Sequence, residues 1–165
     1  MKDTSTRNLL ASHVDLHGLD YLICCAGEYL SGELEATSVD DIQRVLDSNI
    51  TATIKLVHKL YPRLVNQLDG TIVHINSVAG KAINSNEPIY CATKHGLAAF
   101  FKALRFQARE HNVRVLEVYP GAMQTPMLPH HLKAMNAGLV AEIVYQNTTI
   151  QPVSLQIEEI HLGRF

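Results

Sequence analysis

The stretch Tyr21-Leu22-Ile23-Cys24-Cys25-Ala26-Gly27 carries no charge and ends in glycine. A strand with one wet face alternates apolar and polar residues. Tyr21–Ala26 does not, which predicts a strand covered on both faces, as in a parallel sheet. Thr71–Asn76, TIVHIN, reads the same way: it is rich in β-branched residues and follows the turn pair Asp69-Gly70. Val113–Tyr119, VRVLEVY, is a third strand, broken by Pro120-Gly121, and Leu155–Leu162 is a last one. Helical stretches alternate with these strands. Leu9, Leu10, Val14 and Leu16 fit a short amphipathic helix that stops at Gly18. From about Val39 to Gln67 an apolar stripe runs through Ile42, Val45, Leu46, Ile50, Ile54, Val57, Leu60 and Leu64, close to helical periodicity, with Asp40 and Asp41 complementing the dipole in the first turn. Pro88 opens a helix that reaches about Glu110 and buries Leu97, Phe100, Phe101 and Leu104. Residues 122–136 read as irregular or weakly helical, and Leu139–Gln146 as a short helix. This alternation predicts an α/β domain, one parallel sheet with helices on both faces. Ligands bind such sheets beyond the carboxyl ends of the strands. Here those ends carry CCAG, NSVAG and YPGAMQT.

The 165 residues suit one domain, 1–165, and not two. Hydrophobic residues make up 47% and charged residues 18%, a balance that excludes a disordered chain. A net charge of −2 gives no electrostatic basis for nucleic-acid binding. No apolar run reaches the roughly 20 residues that cross a bilayer, and the polar start MKDTSTRNLLASH has no apolar signal core. A cytoplasmic protein is expected. Its cysteines number three, an odd count that favours free thiols over a disulfide framework.

Tyr90 and Lys94 stand four apart at the start of a helix and share one face. A tyrosine serves as general acid or base only if its pKa falls from about 10 toward neutrality, which takes roughly 4 kcal/mol of preferential phenolate stabilisation. A cation one turn away supplies much of that. Tyr and Lys at this spacing are also common on solvated helix faces. Ser77 raises the chemical reading, because it ends the preceding strand and could hold a substrate carbonyl beside the phenol.

With these residues in place, the chain resembles the short-chain dehydrogenase/reductase family. Cys25-Ala26-Gly27 matches its NNAG turn, Asn49, Ser77, Tyr90 and Lys94 match its catalytic tetrad, and Pro120-Gly121-Ala122-Met123-Gln124-Thr125 matches its PG-x-x-x-T segment. The matches run in order from about residue 19 to 127. The tail, with Gln151-Pro152 and Gln156–Leu162, resembles the short branch that includes NADP-dependent 3-hydroxy acid dehydrogenases. The resemblance implies a Rossmann-like sheet and reversible, NAD- or NADP-linked interconversion of a small alcohol and carbonyl, NADP being favoured by the tail. In that scheme Tyr90 passes the proton, Lys94 lowers its pKa and binds the nicotinamide ribose, Ser77 orients the carbonyl, and Asn49 holds a water linking Lys94 to solvent. Ala26, Gly27, Tyr90, Lys94, Pro120, Gly121, Met123 and Thr125 would contact the cofactor. Gly27 would let the backbone approach its ribose.

The sequence also departs from that family. It contains no G-x-x-x-G-x-G, and twenty residues precede the Tyr21 strand, fewer than the roughly 30 a βαβ unit takes. The expected fold therefore lacks the first strand–helix units and their phosphate cradle, which compromises dinucleotide binding and leaves the Tyr21–Ala26 edge bare. Cys24-Cys25 stands where the family favours asparagines. Three readings follow: an oxidoreductase; a catalytically silent, truncated homologue or interaction subunit that forms a homo-oligomer or joins a full-length relative; and a fragment of a longer dehydrogenase. Other signals read structurally. Cys24 and Cys25 are buried small hydrophobes, His13, Asp15 and His17 are helix polarity, His130-His131 is a loop pair, and no metal is expected. The sequons Asn49-Ile50-Thr51 and Asn147-Thr148-Thr149 stay unmodified in a cytosolic chain. Lys81 is a solvated loop charge rather than a guide for an acidic substrate.

Overall fold

The computed structural model describes residue 8 and residues 12–15, 18–66, 69–127, 134–149 and 155–163. Four strands, β1 (Tyr21–Cys24), β2 (Thr71–Ile75), β3 (Arg114–Pro120) and β4 (Glu159–Leu162), form one sheet in the order β1-β2-β3-β4. Every pairing is parallel, with Tyr21 opposite Thr71, Thr71 opposite Arg114 and Glu117 opposite Glu159. This is the expected α/β, Rossmann-like sheet. The strands are trimmed relative to the sequence reading: β1 ends at Cys24, β2 at Ile75, and β4 begins only at Glu159.

Helices α1 (Val39–Leu46) and α2 (Ala52–Val65) are joined by a π-helical turn, Asp47–Thr51, so the single helix expected over 39–67 carries one widened turn at Asn49. Ser38 caps α1 by accepting from the Asp41 N–H at 3.1 Å while donating to the Asp41 carboxylate. Helix α3 (Pro88–Arg109) starts on Pro88 as expected and unwinds through Asn112, whose φ of 55° is left-handed. Helix α4 spans Ala137–Thr149, longer at both ends than the sequence suggested. Of the first expected helix, Asn8 and Ser12–Asp15 are described and helical; Leu9, Leu10 and Leu16 lie outside the described residues.

Two apolar layers sandwich the sheet. On one face Leu22, Cys24, Ile72 and Val115 meet Val57, Leu60 and Leu64 of α2 and Leu97, Phe101 and Leu104 of α3. On the other, Val73, Leu116 and Val118 pack with Val144 of α4. β2 is buried on both faces, as its composition implied. β1 is not: Tyr21 and Ile23 are 40% and 54% exposed, because α4 alone among the described elements covers that face and its contact falls on β2 and β3. Cys25 follows them outward and is exposed, while Cys24 is buried. No helix among the described residues is long and apolar enough to cross a membrane.

A polar cluster is embedded behind the sheet's carboxyl end. Arg105 of α3 donates to the carbonyls of Val115 (3.0 Å) and Glu158 (2.8 Å), and its guanidinium lies 3.6 Å from the fully buried Glu117. Glu117 also accepts from Asn76 Nδ2 at 3.3 Å. His74 stacks on Phe101 with centroids 4.2 Å apart, and burial lowers its pKa despite the neighbouring Glu117.

Candidate active site

Two strand ends, those of β2 and β3, one helix start and Tyr29 of the loop after β1 converge on a cleft of about 280 Å³. The residue after β2, Asn76, and the next, Ser77, turn directly into a short 3₁₀ helix, Val78–Gly80, which Ser77 caps by accepting from Ala79 N–H at 3.2 Å. A Cβ on Gly80 would lie 2.8 Å from Asn76 Oδ1 and 3.0 Å from the Lys94 carbonyl, so glycine lets this turn press onto α3. Asn76 Nδ2 donates to that same carbonyl at 3.2 Å. The first two turns of α3 are thereby fixed against β2. Tyr90 and Lys94 are both buried, and Ser77 lines the same cleft as Tyr90, close enough to favour its phenolate. Pro120, Gly121, Ala122, Met123 and Thr125 form the facing wall. Gly121 N–H donates to Leu162 O at 2.9 Å, and Met123 and Met135 form an isolated parallel bridge that ties off this loop.

Asn49 joins the two halves. Its Oδ1 accepts from Glu28 N–H at 2.7 Å, and its Nδ2 donates to Glu28 O at 2.9 Å and Thr93 Oγ1 at 3.1 Å. The side chain is thus committed to tying the loop after β1 to α3. A Cβ on Gly27 would stand 3.4 Å from Asn49 Oδ1 and 3.7 Å from Lys94 Nζ. A Cβ there would make ordinary van der Waals contacts, and its absence widens the space beside Lys94.

The electrostatics correct one expectation. Burial pushes the Tyr90 phenol above its ordinary value, with Ser77 opposing that push only in part. Lys94 Nζ lies 5.5 Å from the Tyr90 ring centroid and does not lower the phenol; burial instead lowers Lys94 itself to about 8. Burial withdraws both groups from water and disfavours the charged form of each, which raises the phenol and lowers the ammonium. Lys81, read as a solvated charge, is held by Glu159 at 2.8 Å and sits 4.5 Å over the Tyr119 ring. Asp15 pairs with Arg63 at 2.7 Å, while His17, His130 and His131 lie outside the described residues.

A second, apolar cavity of about 530 Å³ runs along β1, lined by Ile23, Cys25, Ile75, Val140 and Tyr145, and it shares Met123 and Thr125 with the cleft. An elongated ligand could pass from Ser77 and Tyr90, past Met123 and Thr125, into this groove. Tyr90, Pro120, Gly121, Met123 and Thr125 line the cleft where the nicotinamide end of a dinucleotide would sit; Gly27 and Lys94 lie side by side outside both linings, as does the exposed Ala26. The sequence reading missed four residues. Asn76 and Thr93 act through hydrogen bonds that only the folded chain creates. Tyr29 and Glu87 line the cleft, and the sole hint in the sequence was their position beside Gly27 and Pro88.

Residues 1–136 match the short chain dehydrogenase family. A carbonyl reductase family member 4 from Xenopus laevis is 34% identical over 113 residues, covering 68% of this chain and 48% of the relative. A sepiapterin reductase from Chlorobaculum tepidum is 31% identical over 163 residues, covering 94% of this chain and 66% of the relative. The chain thus spans about half to two-thirds of these relatives' lengths. Among solved structures, a short-chain dehydrogenase/reductase from Vibrio parahaemolyticus superposes with a TM-score of 0.84 at 21% identity, over 99% of this chain and 74% of the other. ElxO, solved with NADPH bound, gives 0.85 at 19% identity, over 97% and 73%. From the strand ends to the Ser77, Tyr90 and Lys94 cluster, the chain belongs to the short-chain dehydrogenase family.

Proposed function

We propose that this chain carries the carbonyl-handling half of an NAD(P)-dependent oxidoreductase site. The observation that carries the reading is that Ser77 and Tyr90 line one cleft, with buried Lys94 one turn along the same helix and Gly27 beside that lysine. The nicotinamide cofactor, when bound, supplies or accepts the hydride. Ser77 and Tyr90 hydroxyls hold a substrate oxygen between them, and Tyr90 gives it a proton as negative charge builds there. A phenol kept protonated by burial is in the state that donation needs, which favours reduction of a carbonyl at neutral pH. Lys94, with a pKa of about 8, changes protonation near neutrality and can restore the tyrosine's proton. NADP is preferred on the resemblance of the tail to an NADP-dependent branch, and the fold's likeness to the NADPH-bound ElxO agrees with it.

The test is carbonyl reduction by the 165-residue chain at millimolar NADPH and NADH, comparing wild type with Tyr90→Phe. Tyr90→Phe keeps the ring and removes the proton, so the rate is expected to fall by about 10²–10⁴-fold. Equal rates, or no turnover by wild type, would take the reading away. A second reading is favoured by the open edge of β1 and the apolar groove beside it: a subunit that associates with another copy or a full-length relative.

A further inference from the structure

Glu87 immediately precedes α3 and stands three residues before Tyr90. An acid in that place would ordinarily cap the first turn, yet Glu87 makes no side-chain cap bond. Its Oε1 instead accepts from the Tyr29 hydroxyl at 2.6 Å and from Asn84 Nδ2 at 2.9 Å. Tyr29 also packs edge-on against Tyr90, with centroids 5.1 Å apart. Carboxylate and phenol are therefore held on one wall by a common aromatic brace. Both hydrogen bonds fall on one oxygen, and Oε2 has no hydrogen-bond partner among the described residues.

Among the described residues that line the cleft, Glu87 alone carries a formal charge. Lys81, from the adjoining turn, is engaged by Glu159. Lys94 lies outside that lining, beside Gly27. A simple ketone needs no charge in its cleft. An unneutralised carboxylate repels an anionic substrate and binds a cation, since a charge-assisted hydrogen bond is about twice as strong as a neutral one.

We propose that Glu87 sets the substrate class: the cleft takes a small alcohol or carbonyl that bears a protonated amine, with the ammonium donating to Glu87 Oε2 while the oxygen meets Ser77 and Tyr90. Glu87, the cap of α3, and Tyr90, in its first turn, both line the cleft, so one small substrate can meet both. The chemistry rests on the oxidoreductase reading above; the choice of charge is a binding property that can be measured without turnover.

Three probes share one carbon skeleton: 1-amino-2-propanol, 1,2-propanediol and lactate, respectively cationic, neutral and anionic. Each is titrated by NMR into the 165-residue chain at pH 7 without cofactor. The amine is expected to bind at least about tenfold more tightly than the diol, with lactate weakest. Glu87→Gln removes the difference, while His95→Ala, outside the cleft lining, preserves it. Equal binding of the three probes, absence of amine binding, or a preference that survives Glu87→Gln overturns the proposal and leaves Glu87 as a loop brace only. Turnover of the same probes with NADP or NAD is read separately. Amine preference with no turnover of any probe removes the oxidoreductase reading and leaves the cation site; turnover without preference does the reverse.

Discussion

At Lys94 a cation only 5% exposed has no carboxylate within ion-pair distance among the described residues. In the unfolded chain a lysine keeps its proton to about 10.4, whereas folded Lys94 releases it at about 8. Between those values the unfolded state binds more protons, so stability rises with pH across that window and the full penalty applies below about 8. Lys94→Met, which keeps the length and removes the charge, should therefore stabilise the chain at pH 7 by about 1–3 kcal/mol. The gain should vanish by pH 10.4, read from urea melts at both pH values; a loss at pH 7 would mean the ammonium is solvated or paired in solution. Ser77 and His95 make a complementary pair. Ser77→Ala removes the hydroxyl that favours the Tyr90 phenolate and should lower carbonyl reduction by at least about tenfold. His95→Ala, whose exposed ring bonds the Cys91 carbonyl of its own helix, should leave the rate nearly unchanged in the same assay. The identities of Asn49, Ser77, Tyr90 and Lys94 were legible because their spacing follows the chain. The side-chain ties of Asn49 and the raised pKa of Tyr90 were not, because both depend on burial by segments remote in sequence.

Helix α3 does most of the positioning, and its grip on the sheet runs through Arg105. The guanidinium reaches β3 and the segment leading into β4, and faces Glu117, which has no exposure at all. Arg105→Met strands that carboxylate and should destabilise the chain by about 3–5 kcal/mol. Adding Glu117→Gln should recover most of the loss in thermal melts, since the penalty belongs to the unpaired charge. Elements with long apolar patterns were readable within a few residues, α3 to the residue at its Pro88 start. The π turn at Asp47–Thr51 was not, because its stripe through Val45 and Ile50 fits an ordinary helix and the widened turn is held by the Asn49 contacts. β4 was drawn too long because Leu155–Glu158 has strand composition but no paired neighbour until Glu159.

At the scale of the whole sheet, β1 is an edge strand with no partner on its outer side among the described residues. On the helices, Val57 and Leu104 are in the core, and Ile54 and Phe100 pack against it. Among the exposed apolar side chains, Tyr21 and Ile23 stand together on the β1 edge beside the groove. Burying a large apolar side chain is worth roughly 1.5–3 kcal/mol, so light scattering at tens of micromolar should show a dimer or larger. Ile23→Lys should return it to a monomer by blunting the edge. The groove presents apolar side chains where pyrophosphate recognition needs N–H groups. Calorimetry of the 165-residue chain should accordingly show no saturable NADH or NADPH binding tighter than millimolar. The parallel sheet and its ligand end could be read from the unbroken apolar runs. The bare face of β1 could not, since Ile23 looks the same in sequence whether or not a helix lies over it.

The spatial order β1-β2-β3-β4 is also the order of synthesis. No strand must wait for a later one to be inserted beside it, so each can dock on its predecessor as it leaves the ribosome, with its crossover helix already made. Assembly of this kind grows by accretion from a single seed, the β1–β2 pair. The last strand to arrive, β4, is then the one whose backbone amides should exchange fastest with solvent deuterium and whose release leaves the rest of the sheet intact.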